Sequence, residues 1–153
     1  MKIEIEPVAF VKNSRNEVTD DFWGNLISEI ELSDKFTDLA FKGLNEYSHA
    51  EILYYFHRTE PGKIITDARH PRGNVNFPET GIFAHRVKDR PNHLGLSIAE
   101  IVKVTGKILT VKGLDAINGT PVIDIKPVLK EFLPRTRVVQ PVWTVELMKN
   151  YWQ

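Results

Sequence analysis

Short Ile- and Val-rich segments, each cut off by Gly, Pro or Asn, recur along the chain and restrict it to a mainly β fold. After Gly81 they run GIFAHR, SIAEIVKVTG, KILTVKGL and PVIDIKPVL. The stretches IVKV and ILTV flank Thr105-Gly106-Lys107 and read as a hairpin with Gly106 in the tight turn. Upstream, Ile3 and Ile5 alternate with Lys2, Glu4 and Glu6, and LISEIEL (26–32) keeps a period of two. AEILYYF (50–56) has the apolar, aromatic-rich character of a buried strand. Strand signals spaced by about 8–12 residues favour a small β-barrel or a sandwich.

Helix is scarce. SDKFTDLAFKG (33–43) reads as a short helix capped by Ser33 and ended by Gly43. In the tail, Val142, Val145, Met148 and Trp152 approximate one helical face. The segment from Pro61 to Thr80 holds three Pro and two Gly, which predicts a long loop. With 153 residues and no repeat or linker, a single domain over 1–153 is expected.

Composition excludes several chemistries. There is no Cys, hence no disulfide, thiolate metal site or thiol nucleophile. No Gly-x-Gly turn, P-loop or Gly-x-Ser-x-Gly elbow occurs. His85, Asp89 and His93 lie at four-residue intervals, but Pro91 breaks the helix that would gather them, and no metal is expected. The N-terminus lacks an apolar signal-peptide core and no run is long enough to span a bilayer, so a cytoplasmic protein without membrane contact is expected.

The net charge of zero hides an asymmetry. Residues 1–60 hold 12 acids against 6 bases, while residues 61–93 hold 6 bases against 3 acids. Lys63, Arg69, Arg72, Arg86, Lys88 and Arg90 form a basic run suited to phosphate or an anionic substrate; chance lumpiness of surface charge is the competing reading.

Two segments concentrate polar residues around turns. In GIFAHRVKDRPNHLGLS (81–97), an apolar strand delivers Arg86, followed by a loop with Arg90-Pro91-Asn92 and Gly95. In GLDAINGTPVIDIKP (113–127), Asn118-Gly119 makes a turn, Thr120 offers a hydroxyl, and Asp124 and Lys126 share one strand face. Each alone reads more readily as a hairpin turn, and Asp124 is readable as a general base or as a salt-bridge partner of Lys126.

Together they resemble the TsaA-like (TrmO) methyltransferase family. The matching residues are Gly81, Phe83, Ala84, Arg86, Arg90, Pro91, Asn92, Gly95, Leu96 and Ser97, then Gly119 through Pro127. Gly43-Leu44-Asn45-Glu46-Tyr47-Ser48-His49 and Tyr55-Phe56-His57-Arg58 are similar to a third family stretch. The resemblance implies a small β-barrel, usually homodimeric, that binds S-adenosylmethionine and methylates a modified adenosine of tRNA or a related adenine-bearing substrate. A non-catalytic S-adenosylmethionine-binding module is the alternative. The chain looks like a short form of the family, without the C-terminal domain of longer members. Carried over residue by residue, the implied cofactor contacts are Phe22, Trp23, Gly24, His57, Arg58, Arg86, Leu96, Asn118, Gly119, Thr120 and Pro121. Arg90, Asn92, Asp124 and Lys126 fall to the substrate, with Lys88 a further cation for cofactor carboxylate or substrate phosphate. Trp23 and Tyr55 are candidate aromatic faces for the sulfonium. Two positions depart from the family pattern: His93 stands where the family has Pro, and Asn118 where it has Asp.

Overall fold

A computed structural model describes residues 1–60 and 62–153, so that Pro61 lies outside the described residues. The main strands are β1 (Ala9–Lys12), β2 (Ile27–Leu32), β3 (His49–Tyr55), β6 (Leu94–Thr105), β7 (Ile108–Lys112) and β8 (Pro121–Pro127). A two-stranded ribbon, β4 (Ala68–Arg69) with β5 (Thr80–Gly81), stands apart. The six main strands close into an antiparallel barrel in the order β1-β2-β7-β6-β3-β8, with β1 paired to both β2 and β8. Among the described residues, closure leaves the barrel itself without a free sheet edge to pair with another chain.

Alternation explains the interior. Along β3, Ala50, Ile52 and Tyr54 point inward; along β6, Gly95, Ser97 and Ala99 do. These small residues of β6 leave room for the Tyr54 ring, while Ile30, Leu109, Val111 and Val122 fill the remaining core. The β6–β7 hairpin turns at Gly106, whose φ of 57° suits glycine.

Several expected elements fold otherwise. Ile3 and Ile5 are exposed and unpaired in any ladder. Pairing starts beyond Pro7, which has no N–H to donate, with Val8 N–H bonded to the Val122 carbonyl at 2.8 Å. Ser33 donates its backbone N–H to Val8 and caps nothing; only 3₁₀ turns, Asp38–Phe41 and Leu44–Glu46, follow. The predicted long loop carries β4 and a 3₁₀ turn at Pro71–Gly73. Ile82–Ala84, read as a strand, is a 3₁₀ turn, because only Thr80 and Gly81 find strand partners. In the tail, helix α1 covers only Trp143–Leu147. Val142, Val145 and Met148 remain exposed, so no buried face extends the helix.

Candidate functional site

The end of β3 and the start of β6 form the floor of a cleft of about 360 Å³. Tyr54, Phe56, Leu94, Gly95 and Leu96 line that floor; the 82–93 loop supplies Phe83, Arg86, Arg90, Pro91 and Asn92; and Asp115 enters from beyond β7. Backbone bonds tie the loop to the end of β3, from Phe56 N–H to the His93 carbonyl (2.8 Å), and to the segment before β4, from Ile82 N–H to the Asp67 carbonyl (2.9 Å) and from Ile65 N–H to the Asp89 carbonyl (3.0 Å). Asn92 and His93 both have left-handed backbones, with φ of 64° and 51°. A proline at 93 is restricted to a negative φ, so the family's Pro is incompatible with this loop path.

Arg86 donates to the Leu96 carbonyl, and Arg90 to that of His85 at 2.8 Å, which aims both guanidinium groups along the cleft rim. The rest of the basic run is consumed elsewhere. Lys63 pairs with Glu60 at 2.6 Å, Arg69 and Lys88 share Asp89 at 3.7 and 2.9 Å, and Arg72 grips Asp21 through two bonds of 2.7 and 2.9 Å. The expected basic loop thus reduces to two cations at the cleft.

His57, Arg58 and the 118–121 turn meet beside this cleft rather than within it. A Cβ on Gly119 would sit 3.8 Å from the His57 Nε2. Arg58 donates to the Asn16 carbonyl at 2.6 Å, and Asn118 donates its side-chain amide to Asn16 Oδ1 at 3.1 Å. Asn118 Oδ1 accepts the backbone N–H of Asn13 at 3.3 Å. The amide therefore works as donor and acceptor, a pairing that the family's carboxylate does not reproduce. Thr120 is buried, and Pro121 opens β8 opposite Phe10.

Phe22, Trp23 and Gly24 join the same neighbourhood through Arg15. Its guanidinium donates to the carbonyls of Asp21 (3.1 Å) and Phe22 (2.7 Å) and stacks 4.1 Å from the Trp23 ring centroid, and its own carbonyl accepts the Asn118 N–H at 2.7 Å. Trp23 is only 4% exposed with that face already taken by a cation, so it does not offer a face to a sulfonium. Tyr55 points outward and bonds to His93 Nδ1 at 3.2 Å; Tyr54, Phe56 and Phe83 are the aromatics that line the cleft. Asp124 and Lys126 pair with each other on β8, away from the cleft. His85 bonds Thr80 Oγ1 at 2.9 Å and Asp89 its two cations, so the three evenly spaced residues point to separate partners.

Burial and the Arg58 charge lower the His57 pKa from 6.5, which favours the neutral ring. The stability carried by that neutral form is complete above the ordinary value and is lost as pH falls through the lowered one. Wild-type Tm is therefore expected to fall more steeply than that of His57→Gln when the pH is lowered from about 7 to about 5, as parallel thermal melts would report.

Sequence reasoning gave no site role to Asp115, Tyr54, Tyr151 or the 13–16 loop, and took Ser97 only as a matching motif residue. Asp115 accepts from Tyr54 Oη (2.9 Å), Ser97 Oγ and Tyr151 Oη (2.5 Å). Nothing local marks it, since an Asp in a segment connecting two strands is ordinary.

Fold and cleft define a small closed β-barrel with a cleft on its wall, framed by two arginines, aromatic side chains and one carboxylate. The family model of the tRNA-methyltransferase O N-terminal domain matches residues 20–132, and the chain belongs to that family. A Homo sapiens tRNA (adenine(37)-N6)-methyltransferase is 37% identical over 111 residues, covering 72% of this chain and 25% of that protein. The Escherichia coli protein of the same description is 42% identical over 96 residues, covering 59% and 40%. A Probable S-adenosyl-L-methionine-binding protein of Methanothermobacter thermautotrophicus is 37% identical over 131 residues, covering 83% and 90%. The crystal structure of TrmO from Pseudomonas aeruginosa superposes with a TM-score of 0.71 at 25% identity, covering 90% of this chain and 61% of that one. The chain thus spans about a quarter of the human relative's length and most of the archaeal one's.

Proposed function

We propose that this protein binds S-adenosylmethionine in the cleft under Phe83 and Arg86, and that it methylates a modified adenosine of tRNA. The observation that carries the reading is the cleft's chemistry. Phe56, Phe83 and Leu96 offer apolar surface for an adenine ring, and Arg86 and Arg90 offer cations for a carboxylate or phosphate. The volume of about 360 Å³ lies within the range of small-ligand sites. The family and the descriptions of the human and Escherichia coli relatives support the same chemistry.

S-adenosylmethionine supplies an electrophilic methyl group on a sulfonium. In-line displacement at such a carbon needs alignment and exclusion of water more than elaborate acid–base machinery. Here the barrel floor is rigid, while the 82–93 loop orients the two arginines and shields one side. Lys130, Arg135 and Arg137 are exposed beyond β8 and supply positive charge for an RNA backbone. The protein works in the cytoplasm on this reading. It acts as a homodimer that buries the exposed apolar residues Ile98 and Val102 on the outer face of β6, and light scattering should return twice the chain mass.

Incubation with methyl-labelled cofactor and total tRNA tests the activity: label is expected in tRNA adenosine. A folded protein that binds cofactor and leaves all RNA unlabelled overturns it. The second reading, a non-catalytic S-adenosylmethionine-binding module, draws support from the short archaeal relative, which this chain covers over 90% of its length. Tight cofactor binding without transfer to RNA, protein or small molecules would establish that reading instead.

A further inference from the structure

Asp115 is the one carboxylate among the described residues lining the cleft, and its two oxygens are used differently. Oδ1 is held from the barrel by Tyr54 Oη at 2.9 Å and by Ser97 Oγ. Tyr54 and Ser97 are both buried on strands, so that end of the carboxylate is fixed. Oδ2 takes its bond from Tyr151 Oη at 2.5 Å, and Tyr151 belongs to the tail. Residues 131–142 before this tail are exposed throughout. The tail packs back onto the rest of the chain through the Trp143 ring against Phe77 (centroids 5.9 Å apart), Phe22 N–H to the Asn150 carbonyl (3.1 Å), Trp23 N–H to the Tyr151 carbonyl (2.8 Å) and the Trp152 carbonyl against Gly24. Burial first, and then the Asp115 charge, raise the Tyr151 pKa, so its hydroxyl stays a donor.

The carboxylate is therefore anchored at one oxygen by barrel strands, while a C-terminal segment that follows an exposed stretch satisfies the other. We propose that Asp115 is a ligand-binding residue: its Oδ2 accepts a hydrogen bond from a ligand hydroxyl or ammonium group, and Tyr151 occupies that acceptor until the ligand displaces it. The proposal rests on the reading that this cleft takes an adenosyl cofactor. It pairs an acceptor at Asp115 with the cations at Arg86 and Arg90, which suits a ligand carrying both an anionic group and hydroxyl or ammonium donors.

An internal competitor weakens apparent affinity by the fraction of chains in which it is docked. Tyr151→Phe keeps the ring and removes only the hydroxyl. Calorimetry with S-adenosylhomocysteine should then show binding about threefold to tenfold tighter than wild type. Asp115→Asn should bind about tenfold more weakly, with a thermal melt reporting that the barrel is retained. These opposite signs separate the proposal from a structural role, in which loss of either partner weakens binding alike. Methylthioadenosine, which lacks the amino-acid end, identifies the donor. A loss at Asp115→Asn that persists with it assigns a ribose hydroxyl, and a loss that vanishes assigns the ammonium. Unchanged or weaker binding by Tyr151→Phe overturns the proposal while leaving the cofactor reading in place. Absence of binding by wild type and Tyr151→Phe alike overturns the cofactor reading and this proposal with it.

Discussion

Gly95→Ala is expected to lower Tm by about 3–10 °C and to weaken cofactor binding together with stability. Gly95 lies on β6 directly under the Tyr54 ring. A Cβ there would collide with two ring carbons of Tyr54 and lie 2.9 Å from the Phe56 ring. The Tyr54 ring, the nearer of the two, has little room to retreat. Tyr54 is fully buried, stacks edge-on to Phe56 at 5.4 Å and bonds to Asp115. Added volume in a filled core costs about 1–3 kcal/mol. Here it also pulls the Tyr54 hydroxyl from a carboxylate that lines the cleft. Gly81→Ala is the control: its backbone (φ −62°, ψ 152°) suits any residue, and no atom lies within 4 Å of the added carbon. Its melt should match wild type. If Gly95→Ala melts with wild type as well, close packing under Tyr54 does not hold the site together.

The barrel was legible because strands such as β2 and β3 bury one face, which writes itself as alternation, and the others carry short apolar runs. β2, β3, β7 and β8 fall where the period-two or apolar runs place them. Ile3 and Ile5 share that alternation without being strand, since nothing in a local pattern tells whether a partner strand reaches it. The ribbon of Ala68–Arg69 with Thr80–Gly81 was illegible for the converse reason: two-residue strands carry no period.

The site divides along the same line. Arg86, Leu96, Arg90 and Asn92 come together because one loop and the strand after it carry all four. Charge counting overstated the loop, because Glu60, Asp21 and Asp89 neutralise neighbours at short range. The Asp115 cluster joins residues separated by 18, 36 and 61 positions, and only closure of the barrel and return of the tail bring them into one place.

Arg86→Ala is expected to weaken S-adenosylmethionine binding by about 10–100-fold while leaving Tm within about 2 °C of wild type. The two effects separate because Arg86 is exposed and braces the loop only through the Leu96 carbonyl. Three backbone bonds, from Phe56, Ile82 and Ile65, keep the loop in place without it. What Ala removes is a guanidinium at the rim, with donors beyond the one spent on Leu96. Charge-assisted bonds to a carboxylate or phosphate are worth about 1.5–3 kcal/mol, which sets the expected range. Arg86→Lys should recover only part of the loss, because a point-charge ammonium does not keep a backbone carbonyl and a ligand anion in one planar fork. Lys88→Ala should bind as wild type does, since Lys88 is already paired with Asp89 outside the cleft. Salt sharpens the comparison: the gap between wild type and Arg86→Ala should narrow as ionic strength rises. Equal affinities for wild type and Arg86→Ala at low salt would take Arg86 out of the site, and a loss at Lys88→Ala would put back the wider basic surface that the ion pairs argue against.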